Sequence, residues 1–123
     1  MRPRALLPLL LLTVLGVAAL GACGSDSDSP GATTEPVVVK VTISGGEITT
    51  SPSGDVAVAL GQDVSLEITS DVADEVHVHS SPEQEHEFTA GSTTLDLGSF
   101  SVPGQVDVEA HDLDADLVTL VLE

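Results

Sequence analysis

Histidines alternate with branched apolar residues in one short stretch, Asp74-Glu75-Val76-His77-Val78-His79. This period of two predicts a β-strand on which His77 and His79 project from the same face. Residues i and i+2 of a strand are roughly 6.6 Å apart, so the two imidazoles are close enough to converge on one ion. A third histidine, His111, ends a later alternating run, Val106 to Ala110. The chemistry of this chain is therefore concentrated at these three imidazoles.

Other short alternating runs predict the elements that would position these histidines. They are Val37 to Ile43, Val56 to Leu60, Val64 to Ile68, Leu95 to Leu97 and Leu117 to Leu122, with Glu83 to Thr89 as an edge strand or extended loop. Turn signals rich in Gly, Pro, Ser and Asp separate the runs, and Thr49 to Asp55 is expected to be a loop. The pattern predicts an all-β fold, an antiparallel Greek-key β-sandwich of seven to eight strands.

The composition limits the core of this sandwich. The chain has no tryptophan, no tyrosine and two phenylalanines, so valine, leucine and isoleucine must fill the interior. The last run, Leu117 to Leu122, is apolar on both faces, which predicts a strand buried in the middle of the fold.

The N-terminal segment has the layout of a secretory signal. Arg2 and Arg4 precede an apolar run that ends in Leu20-Gly21-Ala22-Cys23, and this ending resembles the lipobox of bacterial lipoproteins. We predict a signal peptide over residues 1–22, a lipidated Cys23 with a disordered tether to residue 36, and one domain over residues 37–123. The protein would then be anchored by lipid to the extracytoplasmic face of the cell membrane. The alternative is a plain secretory signal with an incidental cysteine.

The charge balance is strongly acidic. The whole chain carries −17; without Arg2 and Arg4, Lys40 remains as one basic side chain against 20 acidic ones, a formal charge of −19. Such a surface repels nucleic acid and anionic lipid headgroups and attracts cations without selectivity. Solubility is the ordinary reason for most of these acids.

Catalytic motifs are missing from the sequence. It contains no Gly-rich phosphate loop, no His-Glu-x-x-His run and no nucleophile elbow, so we do not expect an enzyme. The stretch Asp112 to Asp116 imitates the opening of a calcium loop, but Leu117 stands where that loop needs glycine, which excludes an EF-hand.

Two stretches resemble cupredoxins. Ser70 to His79 is similar to the strand that bears their first copper-ligand histidine, and Phe100 to His111 is similar to the hairpin that carries the remaining ligands. A group of cupredoxin-like bacterial lipoproteins is more similar still, with an Asp-Glu-Val-His-Val-His strand and a Pro-Gly turn leading to Glu-x-His. The resemblance covers residues 37–123 and implies a cupredoxin-like sandwich.

The departures from the cupredoxin pattern concern sulfur. Ala110 stands where a blue-copper protein has its cysteine, and the only methionine is Met1. A centre of two histidines and one cysteine is therefore excluded, and fast electron transfer through a copper thiolate is not expected.

The resemblance implies a site made of nitrogen and oxygen ligands. It gives His77 and His111 as equivalents of ligand-bearing positions, adds His79 through the strand motif, and leaves a carboxylate to Glu109 or Glu75. We predict a metal site of His77, His79, His111 and Glu109 that takes Cu(II) or Zn(II). The alternative is that the histidines are packed or exposed side chains hydrogen-bonded to nearby carboxylates. Cupredoxin ligand histidines lie in phase with core residues, whereas the pattern here leaves open which face His77 and His79 occupy.

These observations predict a metal-binding or metal-handling module at the cell surface, with copper as the first candidate. The competing prediction is a metal-free structural or protein-binding β-sandwich module that keeps the fold.

Overall fold

The computed structural model describes residues 35–123, which form nine β-strands and no helix. The strands are β1 (Val37–Ser44), β2 (Glu47–Ser51), β3 (Asp55–Val58), β4 (Asp63–Ser70), β5 (Asp74–Val78), β6 (Gln84–Phe88), β7 (Gly91–Ser99), β8 (Gly104–Ala110) and β9 (Ala115–Leu122). The all-β prediction is confirmed. The predicted signal peptide, Cys23 and the tether up to residue 34 lie outside the described residues.

Strand β2 accounts for the difference between nine strands and the predicted seven to eight. It covers part of the stretch expected to be a loop, and it pairs antiparallel with β1 across a tight turn at Gly45 and Gly46. Both glycines have positive φ, 60° and 78°, which suits a two-residue hairpin turn. Ile48 is the only large apolar residue in β2 and is half-buried, so this edge strand gives almost no hydrophobic signal.

The strands form two sheets, in the orders β2-β1-β4-β7 and β3-β9-β8-β5-β6. Two pairings differ from the predicted antiparallel arrangement, because β1 is parallel to β4 and β3 is parallel to β9. Alternation in a sequence shows which side chains share a face, but it carries no information on the direction of the neighbouring strand.

The inner faces of the two sheets build the core from aliphatic residues, as predicted. Val39 and Leu66 from one sheet and Val76, Val108 and Leu120 from the other are completely buried. Burying each such side chain stabilises the fold by about 1.5–3 kcal/mol relative to exposure. β9 lies between β3 and β8, so its predicted place in the middle of the fold is confirmed.

A bulge in β9 lies beside β8. The pairing register shifts between Val108, which faces Val118, and Glu109, which faces Asp116. The extra residue is Leu117, and as a result Leu117 and Val118 are both buried although they are adjacent. A bulge of this kind bends a strand and changes the direction of the side chains next to it.

Within residues 35–123, no helix has the length and apolar character needed to cross a membrane.

Candidate metal centre

Strand β5 presents its histidines on the outer face of the five-stranded sheet. Val76 and Val78 are completely buried, so the residues that alternate with them point away from the core. His77 is half-buried and His79, just past the end of the strand, is exposed. His77 and His79 therefore occupy the outer face of the sheet, a question that the sequence pattern did not decide.

The neighbouring strands place acids beside these histidines. β5 lies between β6 and β8, and His77 is directly across from Glu85 on one side and Glu109 on the other. The ladder with β8 continues past its ends, because His111 N–H donates to the Glu75 carbonyl at 2.8 Å and His79 N–H donates to the Asp107 carbonyl at 2.9 Å. Each outward imidazole thus faces an acidic residue on the next strand. We call Glu75, His77, His79, Glu85, Glu109 and His111 the outer-face cluster.

His77 lies at the centre of the outer-face cluster. Its Nε2 is 2.6 Å from Glu75 Oε1 and 4.0 Å from Glu85 Oε1, and its Nδ1 is 3.7 Å from Glu83 Oε1. The hydrogen bond with Glu75 raises the pKa of His77 above its ordinary value of 6.5, and desolvation of the ring offsets part of that rise. The imidazole is thus held by carboxylates that favour its cationic form.

The His111 ring stacks on the His77 ring. Their centroids are 4.4 Å apart and the ring planes differ by 14°. The lone pair of an imidazole nitrogen lies in the ring plane, so the lone pairs of two parallel rings run side by side and do not converge. A shared ion therefore requires the His111 ring to turn about its own side-chain bonds.

His79 and Glu109 form a separate pair near the end of β5. His79 Nε2 lies 3.0 Å from Glu109 Oε2, and both side chains are more exposed than that of His77. The hydrogen bond with Glu109 raises the pKa of His79. The four residues predicted as ligands are thus divided by the structure into two contacts, His77 with His111 and His79 with Glu109.

Three donors in the outer-face cluster are close enough to share an ion. One ligand atom each from Glu75, His77 and Glu85 lie within 4.8 Å of one another. Metal–ligand bonds are about 2.0–2.2 Å long, so two donors on one ion are at most about 4.4 Å apart. Small side-chain rotations would close the difference, and a metal at His77 Nε2 would replace the proton that Nε2 shares with Glu75.

Glu85 is the donor that the sequence prediction missed. Glu83, Glu85 and Glu87 alternate in the sequence, which was a sign that one face of β6 is acidic. The pairing of Glu85 with His77 depends on the register between β5 and β6, which the alternation does not contain. The fourth histidine, His86, is half-buried, and its Nε2 lies 2.9 Å from Gln84 Oε1.

The inner positions at this end of β5 and β8 hold Asp74 and Ala110. Asp74 is in phase with the buried Val76 and Val78 and is itself only 7% exposed, and Ala110 is completely buried. The position where the cupredoxin resemblance implies a thiol therefore holds the methyl group of Ala110, and the inward position at the start of β5 holds the carboxylate of Asp74. His77, His79 and His111 lie on the other side of the sheet, whereas His86, directly across from Val76, is on the inner side of the edge strand β6.

No model of a known protein family matches the chain, and no curated protein matches it. Solved structures do. The fold is similar to that of a copper(I) form of an amicyanin variant, with a TM-score of 0.54 and 13% identity over 76% of this chain and 88% of that one. It is also similar to a purple cupredoxin from Nitrosopumilus maritimus, with a TM-score of 0.53 and 10% identity over 71% of this chain and 99% of that one. The cupredoxin-like fold is thereby confirmed.

Proposed function

We propose that this protein is a lipid-anchored, extracytoplasmic metal-binding module with a cupredoxin-like fold, whose metal lies on the outer face of the five-stranded sheet. Cu(II) is the first candidate and Zn(II) the second. The observation that carries the proposal is the approach of the Glu75, His77 and Glu85 donors to within 4.8 Å of one another. His111, one of the predicted ligands, would add a fourth donor only if its ring turned out of the stack on His77.

The donor set decides which chemistry the site can support. Imidazole nitrogen and carboxylate oxygen suit Cu(II) and Zn(II), whereas blue-copper electron transfer needs a thiolate. The only cysteine is Cys23 and the only methionine is Met1, and neither is among residues 35–123 that the structure describes. We therefore propose binding or handling of the metal, without a type 1 copper centre and without enzymatic activity.

The exposure of the donor side chains favours transient metal handling over permanent metal storage. The side chains of Glu75 and Glu85 are 32% and 63% exposed, while the His77 ring is 17% exposed. An ion held here keeps an open side toward solvent, which allows exchange with another carrier. Structural sites, by contrast, enclose their metal with four protein ligands.

The proposed location rests on the sequence around Cys23. Acylation of this residue after removal of residues 1–22 would tether the domain to the extracytoplasmic face of the cell membrane. The acidic domain would not bind nucleic acid or anionic headgroups by charge, so the lipid would be its only contact with the membrane. A Cys23→Ser variant should move from the membrane fraction to the medium or stay unprocessed, and unchanged membrane retention would exclude the anchor.

Calorimetric titration of the processed chain with Cu(II) and with Zn(II) tests the metal proposal. His77→Ala should lower the affinity by more than about 10-fold, since it removes the central donor. His86→Ala is the matched control, because this half-buried histidine lies on the neighbouring strand and contacts Gln84. Equal affinity of the His77→Ala variant and the unsubstituted protein would refute the proposed site.

A metal-free structural or protein-binding module is the second candidate function. It is favoured by the inner positions at this end of β5 and β8, where Asp74 and Ala110 supply neither an imidazole nor a thiol. If the unsubstituted protein binds neither Cu(II) nor Zn(II), this second function is the one that remains.

A further inference from the structure

We infer that Asp74 is the positioning residue of the outer-face cluster, because from inside the sandwich it holds the turn that places His111 against His77. The inference deepens the proposed function, since the group being positioned is the proposed metal site. Asp74 has no place in the predicted ligand set, and its carboxylate faces away from the donors on the outer face.

The carboxylate of Asp74 accepts three backbone hydrogen bonds. Its Oδ1 accepts N–H of Glu75 at 2.7 Å and N–H of Asp112 at 2.7 Å, and its Oδ2 accepts N–H of Leu113 at 3.2 Å. The residue is only 7% exposed, so these three donors take the place of water around the carboxylate. Hydrogen bonds to an ionised acceptor are stronger than those between neutral groups.

Two of these three hydrogen bonds hold the residues that follow His111, and a separate backbone bond holds His111 itself. His111 precedes Asp112 in the β8–β9 turn, and its own N–H donates to the Glu75 carbonyl at 2.8 Å. The turn closes with the bond from Asp114 N–H to the His111 carbonyl at 3.2 Å, where Asp114 has a φ of 47°. The His111 backbone is thereby fastened to the start of β5, which leaves its ring lying over that of His77.

The position of His111 matters for the direction of the His77 donor atom. A ring stacked at 4.4 Å covers one face of the His77 imidazole and limits its rotation. Glu75, whose N–H also reaches Asp74, holds Nε2 from the side at 2.6 Å. Groups that orient a metal ligand in this way typically change metal affinity by about 10–100-fold when they are removed.

Asp74→Asn is the test substitution, because it keeps the size of the side chain and replaces one acceptor oxygen by a donor NH₂ group. At least one of the three N–H groups then loses its acceptor. Asp71→Asn is the matched control: the Asp71 carboxylate also accepts a backbone N–H, that of Gly45 at 2.7 Å, in the turn between β1 and β2.

The first experiment needs no metal. In the metal-free protein, nuclear Overhauser contacts between the ring protons of His77 and His111 should be present, should be lost in Asp74→Asn and should be kept in Asp71→Asn. Retention of these contacts in Asp74→Asn would overturn the inference. Amide hydrogen exchange in the unsubstituted protein is a check that requires no variant: Asp112 and Leu113 N–H should be protected, and exchange at the rate of open turns would also overturn it.

The second experiment measures Cu(II) affinity. Asp74→Asn should weaken binding by about 10-fold in the unsubstituted protein and have no further effect in a His111→Ala background. An equal loss in both backgrounds would show that Asp74 acts on the whole fold, against the inference. If the unsubstituted protein binds neither Cu(II) nor Zn(II), the proposed function fails, and the metal-free experiment still decides the role of Asp74.

Discussion

Each of the two sheets carries, on its outer face, a row of side chains that lie directly across from one another on neighbouring strands. The two rows differ in chemistry. Across the four-stranded sheet the paired residues are Thr49, Thr42, Thr69 and Ser92, a row of hydroxyls. Across the five-stranded sheet the paired residues are Glu85, His77, Glu109 and Asp116. We call them the hydroxyl row and the acid–imidazole row. Their backbones lie in similar sheets over the same aliphatic core.

The two rows differ in how well their side chains suit a β-sheet. Threonine suits a strand because its branched side chain packs well on a pleated surface, so the hydroxyl row agrees with the structure that carries it. Like charges directly across two strands are unfavourable, and Glu109 faces Asp116 in the acid–imidazole row. A cation bound at this row would offset that repulsion, which is consistent with the proposed metal site.

Conversion of the acid–imidazole row into a hydroxyl row should have the largest effect. His77→Thr combined with Glu85→Thr removes two of the three close donors, so Cu(II) affinity should fall by more than about 100-fold. The fold should persist because Val76 and Val78 still fill the core. Calorimetry measures the affinity and circular dichroism the fold. Thr42→Val with Thr69→Val is the control on the other sheet, and a comparable loss of affinity there would remove the distinction between the rows.

Bound metal should stabilise the folded protein. A ligand that binds only the native state adds about 2.7 kcal/mol to the free energy of unfolding at 100 times its Kd. For a domain of this size that corresponds to a rise in Tm of at least about 10 °C. Thermal unfolding with Cu(II) or Zn(II), followed by chelation, measures the change. If metal leaves the Tm of the unsubstituted protein unaltered, or raises the Tm of the double threonine variant by the same amount, the acid–imidazole row holds no specific ion.

The titration of His77 should depend on Glu75. Because the Glu75 hydrogen bond raises the pKa of His77, Glu75→Gln should lower that pKa and leave that of His79 raised, whereas Glu109→Gln should do the reverse. The ring proton shifts in metal-free NMR titrations report both values. If Glu75→Gln moves the two pKa values equally, the two contacts are not separate.

The raised pKa values also set the direction of two pH effects. A protonated His77 stabilises the metal-free fold below the ordinary pKa of 6.5, and this contribution is lost as pH rises through the higher folded value. Metal binding has the opposite dependence, because the proton must leave Nε2 first, so Cu(II) affinity should increase over the same rise in pH. Calorimetry at several pH values checks the second trend, and an affinity that does not vary with pH would exclude an imidazole ligand.

The smallest effect is expected on the four-stranded sheet. Lys40 Nζ lies 3.9 Å from Glu67 Oε2, and both side chains are largely exposed, at 69% and 49%. Exposed pairs contribute about 0–1 kcal/mol, so Lys40→Met should change the free energy of unfolding by less than about 1 kcal/mol and leave Cu(II) affinity unchanged. Urea denaturation measures the first quantity. A larger decrease in the free energy of unfolding would mean that the Lys40–Glu67 pair stabilises the four-stranded sheet more than an exposed ion pair does.

Most of the fold could be predicted from the alternation of apolar and polar residues. The features that were missed are those about which this alternation carries no information. The inward aliphatic residues of β1, β4 and β8 could be identified because most of the residues that alternate with them in the sequence are polar. The short strand β2 was missed because Ile48 is its only large apolar residue. The parallel pairing of β1 with β4 was missed because strand direction depends on where the chain returns.

The candidate site was predictable in its residue types and less so in its partners. The spacing of His77 and His79 placed them on one face, but only the structure shows that this face is the outer one. The stacking of His111 on His77 depends on a backbone hydrogen bond between β5 and the residue after β8. Whether these donors bind metal stays a prediction.

The most direct test of the proposed site is a map of paramagnetic broadening by Cu(II) on the amide NMR spectrum of the processed protein. Added at well below one equivalent, Cu(II) should first broaden the signals of Glu75, His77, Glu85 and His111, while those of the hydroxyl row stay sharp. Broadening spread evenly over acidic residues of both sheets would mean that the acids attract cations without a site. Broadening centred on Lys40 and Glu67, or on no region at all, would contradict the account.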